Sequence, residues 1–123
     1  MTCRFALISF LTALCLGAAA AHAAESVTNR SADTKRGAAL IRQYGCGACH
    51  TIPGIADAQG QVGPPLAEIG SRVYIAGMLR NTPDNLALWI RDPQGIVPGN
   101  VMPNMGIDAQ NARDIAAYLA TLQ

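Results

Sequence analysis

The sequence predicts one small all-α domain of three to five helices, and three observations support this fold class. Three segments carry helix start and stop signals, and no segment alternates polar and apolar residues as a half-buried strand would. The 123 residues suit a single domain. Aromatic residues make up only 5% of the chain, so few large side chains can fill a core. We therefore expect another group to contribute bulk.

The first predicted helix starts at Asp33-Thr34 and stops at Gly45, because acidic residues favour a helix start and glycine favours its end. The second has Thr82 as N-cap, Pro83 at its first position and Asp92-Pro93 at its end. The third has Asp108 as N-cap. Apolar residues recur at helical spacing at Leu40, Ile41 and Tyr44, at Leu86, Trp89 and Ile90, and at Ile115, Tyr118, Leu119 and Leu122. The segments between are loops rich in glycine and proline.

The N-terminal segment predicts export. A positive charge at Arg4 precedes the apolar run 5–21, and small residues follow at the positions that a signal peptidase reads. We expect residues 1–23 to be a cleaved secretory signal peptide and residues 24–123 to be a single domain in the periplasm. A retained membrane anchor is the alternative, since the run is barely long enough to span a bilayer.

The charge balance argues against nucleic acid as a partner. The full chain carries 9 basic and 8 acidic residues, so loss of Arg4 with the signal leaves a formally neutral protein. Nucleic-acid-binding domains are usually strongly basic on at least one face. The remaining chain also has a single lysine, Lys35.

Cys46, Cys49 and His50 form a CxxCH sequence, the attachment motif of c-type haem. The two thiols add to the porphyrin vinyl groups as thioethers, and His50 is carried beneath the iron as the proximal ligand. A thioredoxin-like redox pair would need a βαβ pattern, and a zinc site would need further Cys or His ligands. The sequence therefore predicts one covalently attached haem c, which would supply the missing bulk of the core.

The sixth iron ligand is left open by the motif. No second histidine remains after the signal, so methionine, lysine, the N-terminus, water or no ligand are the alternatives. The methionines are Met78, Met102 and Met105. Met102 is favoured because it lies in a loop rich in proline and glycine that could present its thioether from a stiff backbone. A methionine that only fills a gap in the core is the structural alternative.

Several short motifs follow one another in order along the domain. They are Gly37 in the first helix, Cys46-Gly47-Ala48-Cys49-His50-Thr51, Gly63-Pro64-Pro65-Leu66, Gly70-Ser71-Arg72, Pro98-Gly99-Asn100-Val101-Met102 and Ala117-Tyr118-Leu119. This series resembles the class I, monohaem cytochrome c family over nearly the whole domain. The run from Ser71 to Gln94 is similar to the cytochrome c domain fused to subunit II of some bacterial haem-copper oxidases. The resemblance implies a small cytochrome c fold wrapped around one haem.

The resemblance also implies roles for single residues. Met102 matches the axial methionine, and Pro64 matches the proline whose carbonyl accepts a hydrogen bond from the proximal histidine. Arg72 matches an arginine near a haem propionate, and Trp89 matches an aromatic residue against the haem. Gly37 matches the close crossing of the first and last helices.

The chain departs from the family pattern in one segment. The stretch between Arg72 and Thr82 is shorter than in mitochondrial relatives, so contacts to the second propionate are undetermined. Tyr74 and Asn81 are the candidates for that role.

Two filled axial positions imply a carrier of single electrons rather than an enzyme. No nucleophile is paired with a base, and no small-molecule substrate is expected. The partners would be redox proteins, namely a quinol-oxidising complex, a dehydrogenase or a terminal oxidase, and contact with a membrane would arise only through them or an uncleaved signal. A haem subunit of a larger oxidoreductase and a ligand-binding or peroxidatic haem protein are the alternatives. Near-neutral charge predicts docking through apolar residues such as Ala48, Ile52 and Val101.

Overall fold

The computed structural model describes residues 30–123, so the expected signal peptide and the beginning of the predicted domain lie outside the described residues. Its elements, in chain order, are helix α1 (Thr34–Gln43), a 3-10 turn (Cys46–Ala48), a second 3-10 turn (Ile69–Ser71), strands β1 (Tyr74–Ile75) and β2 (Leu79–Arg80), and helices α2 (Pro83–Arg91), α3 (Pro93–Ile96) and α4 (Ala109–Leu119). The predicted all-α class is confirmed. Within residues 30–123, no helix is long and apolar enough to cross a membrane.

The three predicted helix starts are correct, and each is capped by a side chain. The carboxylate of Asp33 accepts a hydrogen bond from the backbone N–H of Arg36, and the hydroxyl of Thr82 accepts one from Asn85. The carboxylate of Asp108 caps α4 in the same way. These caps satisfy backbone donors that have no partner inside a helix, which is why the sequence signals were reliable.

Helix α4 packs against both α1 and α2, and the crossing with α1 requires a glycine. A Cβ atom on Gly37 would overlap the backbone carbonyl of Asp114 and would lie 3.0 Å from the Cβ atom of Tyr118. The close crossing expected from the family pattern is therefore present. The hydroxyl of Tyr118 also donates to the carbonyl of Pro53 at 2.8 Å, which joins α4 to the loop after the CxxCH motif.

The buried hydrophobic core of the described residues is entirely aliphatic. The aromatic residues Tyr44, Trp89 and Tyr118 pack only half-buried at its edge. Its members are Leu40, Ile41, Ile52, Ile55, Ala58, Ile69, Ile75, Leu86, Ala87, Ile90, Ile107, Ala112, Ile115, Ala116 and Leu119. This composition agrees with the shortage of large residues seen in the sequence.

A short hairpin and a short helix were not predicted. Strands β1 and β2 form an antiparallel hairpin with Tyr74 opposite Arg80, and its turn uses the positive φ angles of Ala76 (50°) and Gly77 (70°). Two residues per strand are too few for alternation to be visible in the sequence. Helix α3 is a single turn that starts on Pro93, and Asp92 both ends α2 and caps α3.

One charged residue is fully buried between the first and last helices. The carboxylate of Asp114 has no exposed surface and pairs with Arg30 at 2.8 Å and Arg36 at 3.2 Å. It also accepts hydrogen bonds from the backbone N–H of Asp33 and the side-chain amide of Gln110, both at 3.0 Å. Four donors therefore compensate for the removal of this carboxylate from water.

Candidate haem site

The CxxCH motif forms one tight turn. Gly45 adopts a left-handed conformation (φ 69°) and ends the stretch that follows α1, so the chain turns directly into the motif. The carbonyl of Cys46 then accepts hydrogen bonds from the backbone N–H groups of Cys49 (3.2 Å) and His50 (3.0 Å). This turn brings the two thiols and the imidazole into one short segment.

The two cysteines are free thiols with different environments. Cys46 is half-buried and packs against the core, whereas Cys49 is exposed. Burial raises the pKa of the Cys46 thiol above its ordinary value, and repulsion from the Cys49 thiolate acts in the same direction.

His50 is oriented by the loop that follows the motif. Its Nδ1 atom lies 2.7 Å from the carbonyl oxygen of Pro64, and because a carbonyl can only accept, Nδ1 is the donor. The neutral imidazole therefore has Nε2 as its free basic nitrogen. Gly63 lies against the ring, since a Cβ atom at that position would overlap Cε1 of His50. The imidazole of His50 is therefore held by its hydrogen bond to Pro64 and by close contact with the backbone of Gly63.

The loop of residues 58–66 is attached to the motif by backbone hydrogen bonds. The N–H of Gly63 donates to the carbonyl of Cys49 at 2.8 Å, and that of Leu66 donates to the carbonyl of Thr51 at 2.9 Å. Gly60 donates to Gly47 at 3.0 Å in the same manner. These bonds fix the position of the Pro64 carbonyl relative to His50.

Arg72 is half-buried and is connected to the same loop. One nitrogen of its guanidinium, Nη2, donates to the carbonyls of Pro65 (2.6 Å) and Ala67 (3.1 Å). Its Nε and Nη1 groups make no such bond within residues 30–123, which leaves them available to an anionic group. Pro64 and Pro65 are neighbours, so the peptide groups that hold His50 and Arg72 are adjacent.

The side chain of Asn81 supports the backbone next to Arg72. Its amide nitrogen donates to the carbonyls of Ile69 (2.7 Å) and Arg72 (2.9 Å), which uses both of its N–H groups. Asn81 therefore offers no free donor to a second propionate. The ring of Tyr74 is half exposed and lies under the guanidinium of Arg80, 5.6 Å from ring centroid to Cζ.

Met102 lies in the loop between α3 and α4 and is half-buried. Its backbone N–H donates to the side chain of Asn100 at 2.8 Å, and its carbonyl accepts from the side chain of Gln94 at 2.8 Å. By contrast, Met78 (62% exposed) and Met105 (42% exposed) point toward solvent. Of the three candidate methionines, Met102 is thus the one whose backbone is fixed on both sides and whose side chain is partly sheltered.

The structure brings some predicted site residues together and leaves others apart. Cys46, Cys49, His50 and Pro64 form one connected unit, and Arg72 joins it through Pro65. Met102 belongs to a separate loop, and Trp89 lies on α2 at the edge of the core. No group of three His, Cys, Asp or Glu side chains that could hold a metal ion occurs within residues 30–123.

One expectation about the surface is wrong. Ile52 was predicted to contribute to an exposed docking surface, but only 2% of it is exposed. Its backbone N–H donates to the carbonyl of Ala58, and this turn directs the side chain into the core. Ala48 is exposed as expected, and Val101 is 79% exposed.

The donor set fits a covalently bound haem c. The two thiols are not joined in a disulfide, so both are free to form thioethers. The hydrogen bond to Pro64 leaves Nε2 of His50 as the nitrogen that would bind the iron. Arg72 has unused guanidinium donors for a propionate.

Comparison with known proteins identifies the family. A family model described as cytochrome c matches residues 34–123, so the chain belongs to the cytochrome c family. It is 36% identical over 89 residues to cytochrome c oxidase subunit 2 of Alkalihalophilus pseudofirmus, covering 72% of this chain and 25% of that protein. It is 34% identical over 70 residues to the same subunit of Bacillus subtilis, covering 55% of this chain and 20% of that protein.

A further relative is a cytochrome c homolog of Bradyrhizobium diazoefficiens, 32% identical over 122 residues, which cover 86% of this chain and 64% of that protein. This chain spans about a quarter or less of the length of the two oxidase subunits. The predicted small cytochrome c fold and its covalent haem c are confirmed by the family.

Sequence reasoning missed the polar side chains that position the site. Gln94 and Asn100 appeared in motifs without a structural role, and Asn81 was considered only as a contact to a propionate, whereas it binds the carbonyls of Ile69 and Arg72. One signal was available in the sequence Asp92-Pro93-Gln94-Gly95. Asp92 is a typical N-cap, Pro93 is typical of the first helical position, and the N–H of Gly95 is the donor that Asp92 accepts from. That pattern would have predicted α3 and thereby placed Gln94 beside the methionine loop.

Proposed function

We propose that this protein is a periplasmic monohaem cytochrome c that carries single electrons between respiratory complexes. The observation that carries the proposal is the hydrogen bond between Nδ1 of His50 and the Pro64 carbonyl, within a CxxCH turn. It fixes the tautomer and the orientation that a proximal iron ligand needs. When bound, haem c supplies reversible one-electron chemistry.

In this proposal each site residue has one role. Cys46 and Cys49 would hold the haem through two thioethers, and His50 and Met102 would ligate its iron. Pro64 orients His50, and the free guanidinium donors of Arg72 pair with a propionate. The last predicted site residue, Trp89, packs at the edge of the core, where its ring would contact the haem.

Such a site takes one electron from a reduced donor protein and gives one electron to an oxidised acceptor protein. If His50 and Met102 both ligate the iron, no position would be left for a substrate, and the haem would supply one-electron chemistry alone. The single histidine of residues 30–123 is His50, so no further imidazole serves as a general base. The proposed role is therefore that of a carrier and not of an enzyme.

The surface next to the site supports docking through apolar contacts. Val62 (66% exposed) precedes Gly63, which lies against the His50 ring, and Val101 precedes Met102. Ala48 lies between the two cysteines and is also exposed. None of these three residues has a charged neighbour directly beside it in the sequence. A partner of this surface would be a redox protein with an uncharged face around its own cofactor.

The decisive experiment compares two methionine variants of the haem-loaded protein. Ferric wild-type protein should display the weak sulfur-to-iron absorption, Met102→Ala should lose it, and Met105→Ala should keep it. Redox titration should give a positive midpoint potential for wild type, because thioether ligation and apolar burial both favour the ferrous state. A strongly negative potential, or loss of the absorption in Met105→Ala alone, would contradict the ligand assignment.

A second candidate function is a haem c electron-transfer subunit of a larger oxidoreductase. It is favoured by the similarity to oxidase subunits of which this chain spans only a part. Size-exclusion chromatography of a native extract, followed by haem staining, separates the two functions. A free carrier elutes near its monomer mass, whereas a subunit elutes within a large complex. Binding of carbon monoxide by the untreated reduced protein would contradict both and favour a ligand-binding haem protein.

A further inference from the structure

The geometry points to Gln94 as the positioning residue that keeps the side chain of Met102 at the iron. This inference rests on the proposed function, in which Met102 is an axial ligand. Gln94 lies in the first turn of α3 and is half-buried. Nothing in its own backbone conformation requires a long amide side chain, so the contacts of that side chain identify its role.

The amide of Gln94 uses its oxygen and its nitrogen on the methionine loop. Its nitrogen Nε2 donates to the carbonyls of Asn100 and Met102, both at 2.8 Å. Its oxygen Oε1 accepts from the backbone N–H of Gly99 at 3.0 Å. One side chain therefore makes three hydrogen bonds to a loop segment of four residues, Gly99–Met102.

Asn100 completes the hold on the backbone of Met102. Its Oδ1 atom accepts from the N–H of Met102 at 2.8 Å, and its Nδ2 atom donates to the carbonyls of Pro93 (2.9 Å) and Val97 (2.7 Å). The N–H and the carbonyl of Met102 are thus both bound to amide side chains. Both amides are in turn connected to α3.

The far end of the loop is tied to α3 as well. The side chain of Asn104 donates to Oδ1 of Asp92 at 3.0 Å, and its oxygen accepts from the backbone N–H of Gln94 at 3.2 Å. Asp92 is itself the cap of α3. This closed polar network needs α3 to be formed, which explains why a single helical turn is retained between α2 and the loop.

Polar contacts have to hold this loop because apolar packing does not. Val101 is 79% exposed, and Met102 is the one side chain of the Gly99–Met102 segment with a sulfur that can reach iron. A loop without a buried anchor opens readily unless hydrogen bonds restrain it. Removal of the Gln94 donors should therefore raise the population of molecules in which Met102 has left the iron, and an external ligand would then bind at the free position.

The test is a titration of the ferric haem-loaded protein with imidazole, followed by the sulfur-to-iron absorption. Gln94→Leu removes all three side-chain hydrogen bonds. Gln94→Glu keeps the size of the side chain and the oxygen that accepts from the Gly99 N–H. It replaces Nε2 by a second oxygen, which cannot donate to the carbonyls of Asn100 and Met102. In both variants imidazole should displace Met102 with an apparent affinity about tenfold or more above wild type, as expected for the loss of two or three hydrogen bonds.

Gln110→Leu is the matched control. Gln110 is a helical glutamine whose amide also donates and accepts, but its partners are Asp114 and Arg113 on α4. This variant should lose stability while its imidazole affinity stays within about threefold of wild type. If imidazole affinity rose equally in the Gln94 and Gln110 variants, Gln94 would contribute only to general stability. That result would overturn the inference.

Failure of the inference and failure of the proposed function give different results. If wild type lacks the sulfur-to-iron absorption, the axial role of Met102 is wrong and the inference falls with it. If wild type has this absorption, Met102→Ala abolishes it, and both Gln94 variants bind imidazole with wild-type affinity, only the inference is wrong. If Gln94→Leu yields no folded haem protein, the isosteric Gln94→Glu decides the question.

Discussion

Nδ1 of His50 lies 2.7 Å from the carbonyl oxygen of Pro64, although the two residues are 14 positions apart in the chain. The contact is possible because Gly63, the residue before Pro64, has no side chain and lies against the imidazole ring. Backbone hydrogen bonds from Gly63 to Cys49 and from Leu66 to Thr51 fix this arrangement. Orientation of the histidine is therefore a property of the loop as much as of the CxxCH turn.

Gly63→Ala tests this dependence. The added Cβ would overlap Cε1 of His50, so the ring must move and its bond to Pro64 is lost. We expect the free energy of unfolding of the haem protein to fall by about 2–3 kcal/mol, with a weakened low-spin spectrum. Chemical denaturation and absorption spectroscopy measure the two effects.

Gly45→Ala is the control for Gly63→Ala. Gly45 has no neighbouring atom within 4 Å of an added Cβ, but its φ of 69° strains any other residue. This variant should lose about 1–2 kcal/mol of stability and keep a wild-type spectrum. An unaltered spectrum in Gly63→Ala would mean that the ring does not depend on the loop.

The apolar docking surface predicts weak dependence of electron transfer on salt. The rate with a physiological partner should fall by less than about tenfold between low and physiological ionic strength, since no ring of charges steers the encounter. Stopped-flow kinetics over a salt series measures this. A steeper fall would show that charged residues guide docking.

Val101→Asp places a charge on the same surface and should lower that rate about tenfold or more, because the carboxylate must be desolvated in the complex. Leu88→Asp is the control, since Leu88 is 44% exposed on α2 and has no place in the proposed surface. Its rate should match wild type. Equal losses for the two variants would argue against a surface around Val101.

Asp114→Asn should destabilise the junction of α1 and α4. The carboxylate is fully buried, and its replacement leaves Arg30 and Arg36 without their shared counter-ion. Because both arginines are partly exposed and can be hydrated, we expect a loss of about 2–3 kcal/mol, below the full cost of an unpaired buried charge. Thermal or chemical unfolding checks this value. Asp57 is exposed, so Asp57→Asn should change the free energy of unfolding by no more than about 0.5 kcal/mol. If both variants lost the same stability, burial of the carboxylate would not explain the loss in Asp114→Asn.

Asp33 predicts a pH-dependent contribution to stability. The hydrogen bond from the backbone N–H of Arg36 lowers the pKa of its carboxyl below the ordinary value of 3.8. A lowered folded-state pKa means that the stabilisation is complete above 3.8 and is lost as the pH falls through the folded-state pKa. Wild type should therefore exceed Asp33→Asn in unfolding free energy at neutral pH, and the gap should narrow in acid. A gap that is constant with pH would contradict the role of the charge.

Local signals in the sequence were sufficient for several features. Capping by Asp33, Thr82 and Asp108 depends on a side chain and a backbone N–H three residues later, so each helix start was predictable. The CxxCH motif also acts within a single turn, which is why the haem c could be predicted without a structure. The shortage of aromatic residues in the sequence is matched by a buried core that is aliphatic within residues 30–123.

Other features depended on distant parts of the chain. Burial of Ile52 follows from a turn closed by Ala58, and the commitment of Asn81 to two carbonyls follows from how the hairpin folds back on the segment before it. The same holds for Gln94, whose three bonds need both α3 and the loop in place. The sequence by itself determined features that act within one turn, namely the helix caps and the haem-attachment motif. Long-range hydrogen-bond partners and burial depend on which distant segments pack together, so only the tertiary structure decided them.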